Sequence, residues 1–118
     1  MKVLIVDDHE GFRASARRML EADGFEVVAE AGTGAEALQA ADAWRPELVL
    51  LDVHLPDVQG FDVAERLTTN GSAPAVVLTS SHDASDFGPL VERSGARGFI
   101  AKSELSGGAL RGILDERA

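Results

Sequence analysis

Five short apolar runs recur along the chain, at residues 2–6, 25–31, 47–51, 75–79 and 97–101. They are rich in Val, Ile and Leu, and three are nearly continuous in apolar character, as strands buried on both faces are. The longer segments between them carry helical stripes. In 10–22 the stripe is Phe12, Ala16, Met19 and Leu20. In 33–43, Thr33 is placed to cap the start and Ala37, Leu38 and Ala41 line one face. In 59–69 it is Phe61, Val63, Ala64 and Leu67. The fourth segment, 84–94, holds Gly88-Pro89, and proline is tolerated only in a helix's first turn, so this helix is expected to be short, late or mobile. The last, 106–116, meets Gly107-Gly108 at its start, where fraying is expected.

Strict strand–helix alternation predicts an α/β fold: a five-stranded parallel sheet, doubly wound, with right-handed crossovers and helices on both faces. Ligands of such sheets bind outside the carboxyl ends of the strands, at the switch point in strand order. Asp7 and Asp8 follow the first run, Asp52 the third, Thr79 ends the fourth and Lys102 follows the fifth. Parallel strands would bring all five to one edge.

At 118 residues the chain is of single-domain size, and its 45% apolar content suffices for a core. We read residues 1–118 as one domain, without repeats or linkers. It has no cysteine, hence no disulfide and no thiolate metal site. No apolar run approaches the ~20 residues of a membrane span, and no leader pattern precedes the first run, so a cytoplasmic location with no membrane partner is expected. The net charge of −9 opposes nucleic-acid binding by this domain.

Each edge residue has a plain structural reading. Adjacent aspartates after a strand often form a turn or cap, Asp52 could cap a strand end, Lys102 could be a solvated charge and Thr79 a β-branched strand residue. Together they suggest more. Clustered carboxylates repel unless a cation intervenes, and their oxygens suit Mg²⁺. A carboxylate can attack phosphorus to form an acyl phosphate, with cations neutralising the transferring oxygens. Lys102, one of two lysines against nine arginines, would be such a cation. The Thr79 hydroxyl could donate to a phosphoryl oxygen, and the small Ser80 would leave room. Leu55-Pro56 and Gly60 shape the loop after Asp52, with Gly60 free to take positive φ. His9, His54 and His82 fall on loops at the same edge, but no local His spacing supports a Zn²⁺ or Fe²⁺ site. His54 and His82 are read instead as lining the cleft mouth.

Val3-Leu4-Ile5-Val6-Asp7-Asp8-His9, Leu50 through Gly60, Val76-Val77-Leu78-Thr79-Ser80 and Gly95 through Lys102 resemble the receiver domain of bacterial two-component response regulators. Each stretch is weak alone, but their order and spacing over nearly the whole chain are specific. Asp7-Asp8-His9, followed by Phe12-Arg13, and Lys102-Ser103 look most like the LuxR/FixJ-type subgroup with a helix-turn-helix output domain. The resemblance implies a flavodoxin-like (βα)5 sheet in order 2-1-3-4-5. It implies Asp52 as phosphoacceptor, and Asp7, Asp8, Asp52 and the His54 backbone carbonyl as Mg²⁺ ligands, Asp8 the closer of the two adjacent acids. It further implies Lys102 as the phosphoryl contact and Thr79 with Phe99 as the switch pair, though Phe99 could also be a strand aromatic that simply packs. The donor would be a sensor histidine kinase or phosphotransfer protein, and the response a change in the face of the fourth helix, fifth strand and fifth helix. The domain would assist its own phosphorylation and dephosphorylation rather than act as an enzyme on a substrate.

Ser103 stands where many receivers carry proline, often after a cis bond, and Gly88-Pro89 unsettles the output face. His54 and Ser81, two residues beyond Asp52 and Thr79, are positions expected to tune acyl-phosphate lifetime. Three other readings stay open. A flavin-binding module would need a hydroxyl-rich loop where Asp7-Asp8 stand. A haloacid-dehalogenase-type phosphatase would need an acid where His54 stands. A degenerate receiver would lack part of the acid set. The subgroup resemblance favours a piece of a longer transcription regulator; a homodimer is compatible with the sequence but not argued by it.

Overall fold

The computed structural model describes residues 1–69, 74–81, 87 and 89–115. The elements run β1 Lys2–Val6, α1 Glu10–Ala22, β2 Glu26–Ala31, α2 Gly34–Trp44, β3 Leu48–Asp52, α3 Gly60–Thr68, β4 Ala75–Ser80, α4 Leu90–Arg93, β5 Gly98–Ala101, a 3₁₀ turn Lys102–Glu104 and α5 Gly107–Asp115. The five strands form one sheet in the order β2-β1-β3-β4-β5, every neighbouring pair parallel. The three central strands, β1, β3 and β4, are buried almost throughout. Their continuous apolar character follows from helices covering both faces.

Side chains alternate between two half-cores, as strand period dictates. Leu4, Val6, Val49, Leu51, Val76 and Leu78 face α2 and α3, packing on Ala37, Val63, Ala64 and Leu67. Val3, Ile5, Leu48, Leu50 and Val77 face α1 and α5, packing on Ala16, Leu20 and Leu110. A one-residue slip of β1 or β3 would exchange which half-core each side chain enters.

Local chemistry starts and stops the helices. Thr33 Oγ1 accepts the Glu36 N–H at 3.1 Å, and Glu36 Oε1 accepts the Gly32 N–H at 2.8 Å, so two otherwise orphaned donors of the α2 start are satisfied. A third contribution comes from another loop: Asp57 accepts from Gly34 N–H at 2.8 Å and Ala35 N–H at 3.1 Å. These bonds, led by that to Gly34, hold the Asp57 carboxyl below its ordinary value. The helix of 84–94 is short and late, with Pro89 as N-cap at φ −73° and one turn from Leu90 to Arg93. Residues 84–86 and 88 of that expectation lie outside the described residues, as does residue 116 of the last helix.

Gly60 corrects the sequence reading. Its φ is not positive; Gly24 and Gly95 are the described glycines with that conformation. Glycine is required at 60 by proximity. A Cβ there would lie 2.2 Å from the Asp52 carbonyl oxygen and 2.8 Å from Val53 Cα. The Gly60 N–H also donates to the Val53 carbonyl at 2.6 Å. The loop after β3 is thus folded back on the strand's own end, with His54 bridging to Gln59.

Candidate functional site

β1 and β3 are adjacent, but their crossovers lead to opposite sides of the sheet, so their carboxyl ends flank the switch-point crevice. Asp7 follows β1 and Asp52 closes β3; both are buried, while Asp8 is exposed. Thr79 is the register partner of Asp52 across β3–β4, and β4 runs one residue further, to a buried Ser80. Lys102 opens the 3₁₀ turn after β5 and reaches across: its Nζ lies 2.6 Å from Asp7 Oδ2 and 3.3 Å from Asp52 Oδ2. Four of the five edge residues are therefore drawn into one buried cluster, and Asp8 sits at its rim.

The site's electrostatics follow from burying two acids beside one base. Burial, then the neighbouring charge of Asp7, pushes the Asp52 carboxyl above its ordinary value; the His54 N–H, at 3.2 Å from Asp52 Oδ1, and Lys102 pull the other way. Burial alone would lower the Lys102 ammonium, but its contacts with Asp7 and Asp52 outweigh this and leave it raised. Lys102 is therefore cationic at neutral pH.

Two buried side-chain atoms are left without a well-directed hydrogen bond among the described residues: Asp7 Oδ2, despite the nearby ammonium, and Thr79 Oγ1. Such atoms cost free energy unless a ligand or water completes them. Oxygens of Asp7, Asp8 and Asp52 and a nitrogen of His9 all lie within 4.8 Å of one another. This oxygen-dominated set fits a hard divalent cation.

Several neighbours were given no role in the site by the sequence, although His9 was placed at its edge. His9 Nδ1 lies 3.2 Å from Asp7 Oδ1 and 3.1 Å from Asp8 Oδ1, and the His9 N–H donates to Asp7 Oδ1 at 2.8 Å. Arg13 donates to the Asp7 backbone carbonyl at 2.6 Å while its Nε pairs with Glu30 at 3.1 Å. Phe12, read only as part of the α1 stripe, has its ring centroid 4.6 Å from Lys102 Nζ. Phe87 meets His54, Phe61 and Phe99, with ring centroids 6.0, 5.5 and 5.4 Å away. Phe99 thus belongs to an aromatic cluster joining β5, α3 and the loop beyond Asp52. Helical spacing carried a signal for Phe12 and Phe61, whereas a lone phenylalanine in the 81–89 stretch carried none. His82 lies outside the described residues. The Lys102–Ser103 bond is trans, as no cis peptide occurs among the described residues, in keeping with Ser103 replacing proline.

Comparison with known proteins adds independent findings. The family profile described as "Response regulator receiver domain" matches residues 3–111. The nitrate/nitrite response regulator protein NarP of Escherichia coli is 40% identical over 103 residues, covering 86% of this chain and 47% of NarP. The DNA-binding transcriptional activator EvgA of the same organism is 31% identical, covering 88% of this chain and 51% of EvgA. The chain spans about half the length of the curated relatives it matches. Among solved structures, the signal receiver domain assigned to NarL of Mycobacterium tuberculosis superposes with a TM-score of 0.86 at 33% identity, covering 97% of this chain and 93% of that one. A LuxR-family two-component response regulator from Aurantimonas superposes with a TM-score of 0.79 at 25% identity, covering 98% and 96%. No helix among the described residues is long and apolar enough to cross a membrane.

Proposed function

The chain belongs to the response regulator receiver domain family, and from that premise we propose that Asp52 is its phosphoacceptor. The observation that carries the reading is the state of that carboxylate. It is buried and 3.3 Å from Lys102, it is the register partner of Thr79, whose hydroxyl lacks a hydrogen-bond partner among the described residues, and it lies in a cluster that suits a divalent cation. An Asp52 oxygen attacks the phosphorus of a phosphohistidine on a sensor histidine kinase or phosphotransfer protein. The P–N bond breaks, and the imidazole leaves as the neutral ring once protonated. Lys102 neutralises charge on the transferring oxygens, and the His54 N–H orients the carboxylate. Asp7, Asp8, Asp52 and the His54 carbonyl would hold Mg²⁺, which supplies further charge neutralisation at the phosphoryl group.

The Thr79 hydroxyl donates to the phosphoryl group once it is present, satisfying a group that is otherwise buried alone. Its movement opens space behind it for the Phe99 ring, and the surface of α4, β5 and α5 changes its preferred partner. The domain thereby assists its own phosphorylation and dephosphorylation rather than turning over a substrate. Because EvgA is a DNA-binding transcriptional activator about twice as long as this chain, we assign the chain to the receiver half of a cytoplasmic transcription regulator, with residues 1–118 forming that half.

Incubation with Mg²⁺ and acetyl phosphate, read by intact mass, tests the assignment. One added phosphate is expected, absent in Asp52→Asn and released by base and by hydroxylamine, as an acyl phosphate is. Addition that survives Asp52→Asn unchanged would sink the proposal.

A further inference from the structure

Among the described residues, Lys102 Nζ has three partners of two kinds. Two are carboxylates, Asp7 at 2.6 Å and Asp52 at 3.3 Å; the third is the face of the Phe12 ring, 4.6 Å from nitrogen to centroid. Phe12 is half-buried on α1, on the helix face that packs against β1 and α5. We propose that Phe12 is a positioning residue for the phosphoryl-transfer step: its ring face holds the Lys102 ammonium over the Asp52 carboxylate.

The argument turns on what each partner can sustain. The carboxylates attract Lys102 only while they carry charge directed at it. Any cation they bind weakens that attraction, and once Asp52 forms the acyl phosphate the lysine must exchange its carboxylate partner for the phosphoryl oxygens. A ring quadrupole is not titrated and forms no bond to the arriving group, so its attraction persists through the reaction. An unbranched lysine side chain has many rotamers to lose, and holding it in one beforehand removes that cost from the transfer step. Simple packing would make the same demand on position 12 for bulk but none for an aromatic face, and this distinction is testable.

The inference rests on Asp52 as phosphoacceptor, and the experiment separates the two. Phosphate addition from acetyl phosphate with Mg²⁺ is timed by intact mass on the full 118-residue chain. The same is done for Phe12→Leu, Phe12→Met, Phe12→Tyr, Lys102→Met and the double variant Phe12→Leu/Lys102→Met, each with a melting curve. A partly desolvated cation–π contact predicts that Phe12→Leu and Phe12→Met lower the saturated rate about fivefold while the half-saturating donor concentration holds. Phe12→Tyr keeps the rate, and Phe12→Leu has no further effect once Lys102 is Met. By NMR, the Lys102 ε-methylene protons are shifted upfield by the ring, a displacement present with Phe or Tyr and lost with Leu or Met. A phosphorylated chain whose rate is indifferent to Phe12→Leu overturns this inference alone. So does a Phe12→Leu loss that persists undiminished without Lys102. No phosphate on the unsubstituted chain overturns the Asp52 reading and this one with it.

Discussion

Replacing Gly60 by alanine has opposite signs under two physical accounts. Gly60 is the first residue of α3 and its φ is not positive, so helix propensity alone predicts that alanine stabilises, by up to about 1 kcal/mol. The structure predicts the reverse. The new Cβ would sit 2.2 Å from the Asp52 carbonyl oxygen, 2.8 Å from Val53 Cα and 3.0 Å from the Asp52 carbonyl carbon. All three are backbone atoms at the end of a fully buried strand, so no side chain can swing away, and about 1 Å of overlap falls on the loop or on β3. Overpacking of this rigidity costs about 3 kcal/mol or more. With an unfolding entropy of about 2.1 cal/mol/K per residue, the melting temperature should fall by roughly 12 °C. Gly112→Ala is the control: it lies inside α5 with nothing within 4 Å of the added carbon, and should stabilise by about 0.5 kcal/mol. Urea titrations and melts of both variants provide the measurement. Since two of the three displaced atoms belong to Asp52 itself, Gly60→Ala should also slow phosphate addition at temperatures where it remains folded. A Gly60→Ala melting temperature equal to or above that of the unsubstituted chain would refute the close-approach argument.

Asp52→Asn should raise the melting temperature in metal-free buffer at pH 7, because burial and Asp7 raise the folded carboxyl above 3.8 and its ionised form opposes folding there; a lower one contradicts this. Asp57→Asn should weaken the start of α2 and flatten stability in acid. The Asp57 carboxyl is lowered from 3.8 in the fold, so its contribution is complete above about pH 3.8 and lost as pH falls through the lower folded value. Acid titration by circular dichroism would show this, and identical curves for the two proteins would contradict it. Mg²⁺ at 100 times its dissociation constant should add about 2.7 kcal/mol to stability, reversed by chelation and abolished in Asp7→Asn/Asp8→Asn; a melting curve indifferent to Mg²⁺ removes the metal from the site.

The identity of the edge residues was readable because strand ends are marked sharply in this chain, whereas the order of the strands came from the family resemblance. Asp7 and Lys102 each directly follow an apolar run, Asp52 closes one, and a parallel sheet leaves such residues one edge to share. Their pairing followed from the scarcity of lysine. What crosses between elements was less legible. Asp57 caps α2 from another loop, 23 residues away, and no local pattern announces that. Gly60 looks like a turn glycine in sequence, since positive φ and close approach select the same residue. Phe12 shows helical period, but its meeting with Lys102 requires knowing that α1 and the turn after β5 lie on the same side of the crevice.

The aromatic contacts of Phe87 with Phe61, Phe99 and His54 bear on how the domain would behave across environments. Loading of the crevice is governed by charge, and exposed charges such as Asp8 feel dissolved salt within a Debye length of about 8 Å under physiological conditions. The three phenylalanine rings in contact have no charge to screen. Under the proposed mechanism, high ionic strength should therefore weaken cation loading of the crevice while leaving the displacement of Phe99 per phosphate unchanged: the switch would become harder to set without being read differently once set.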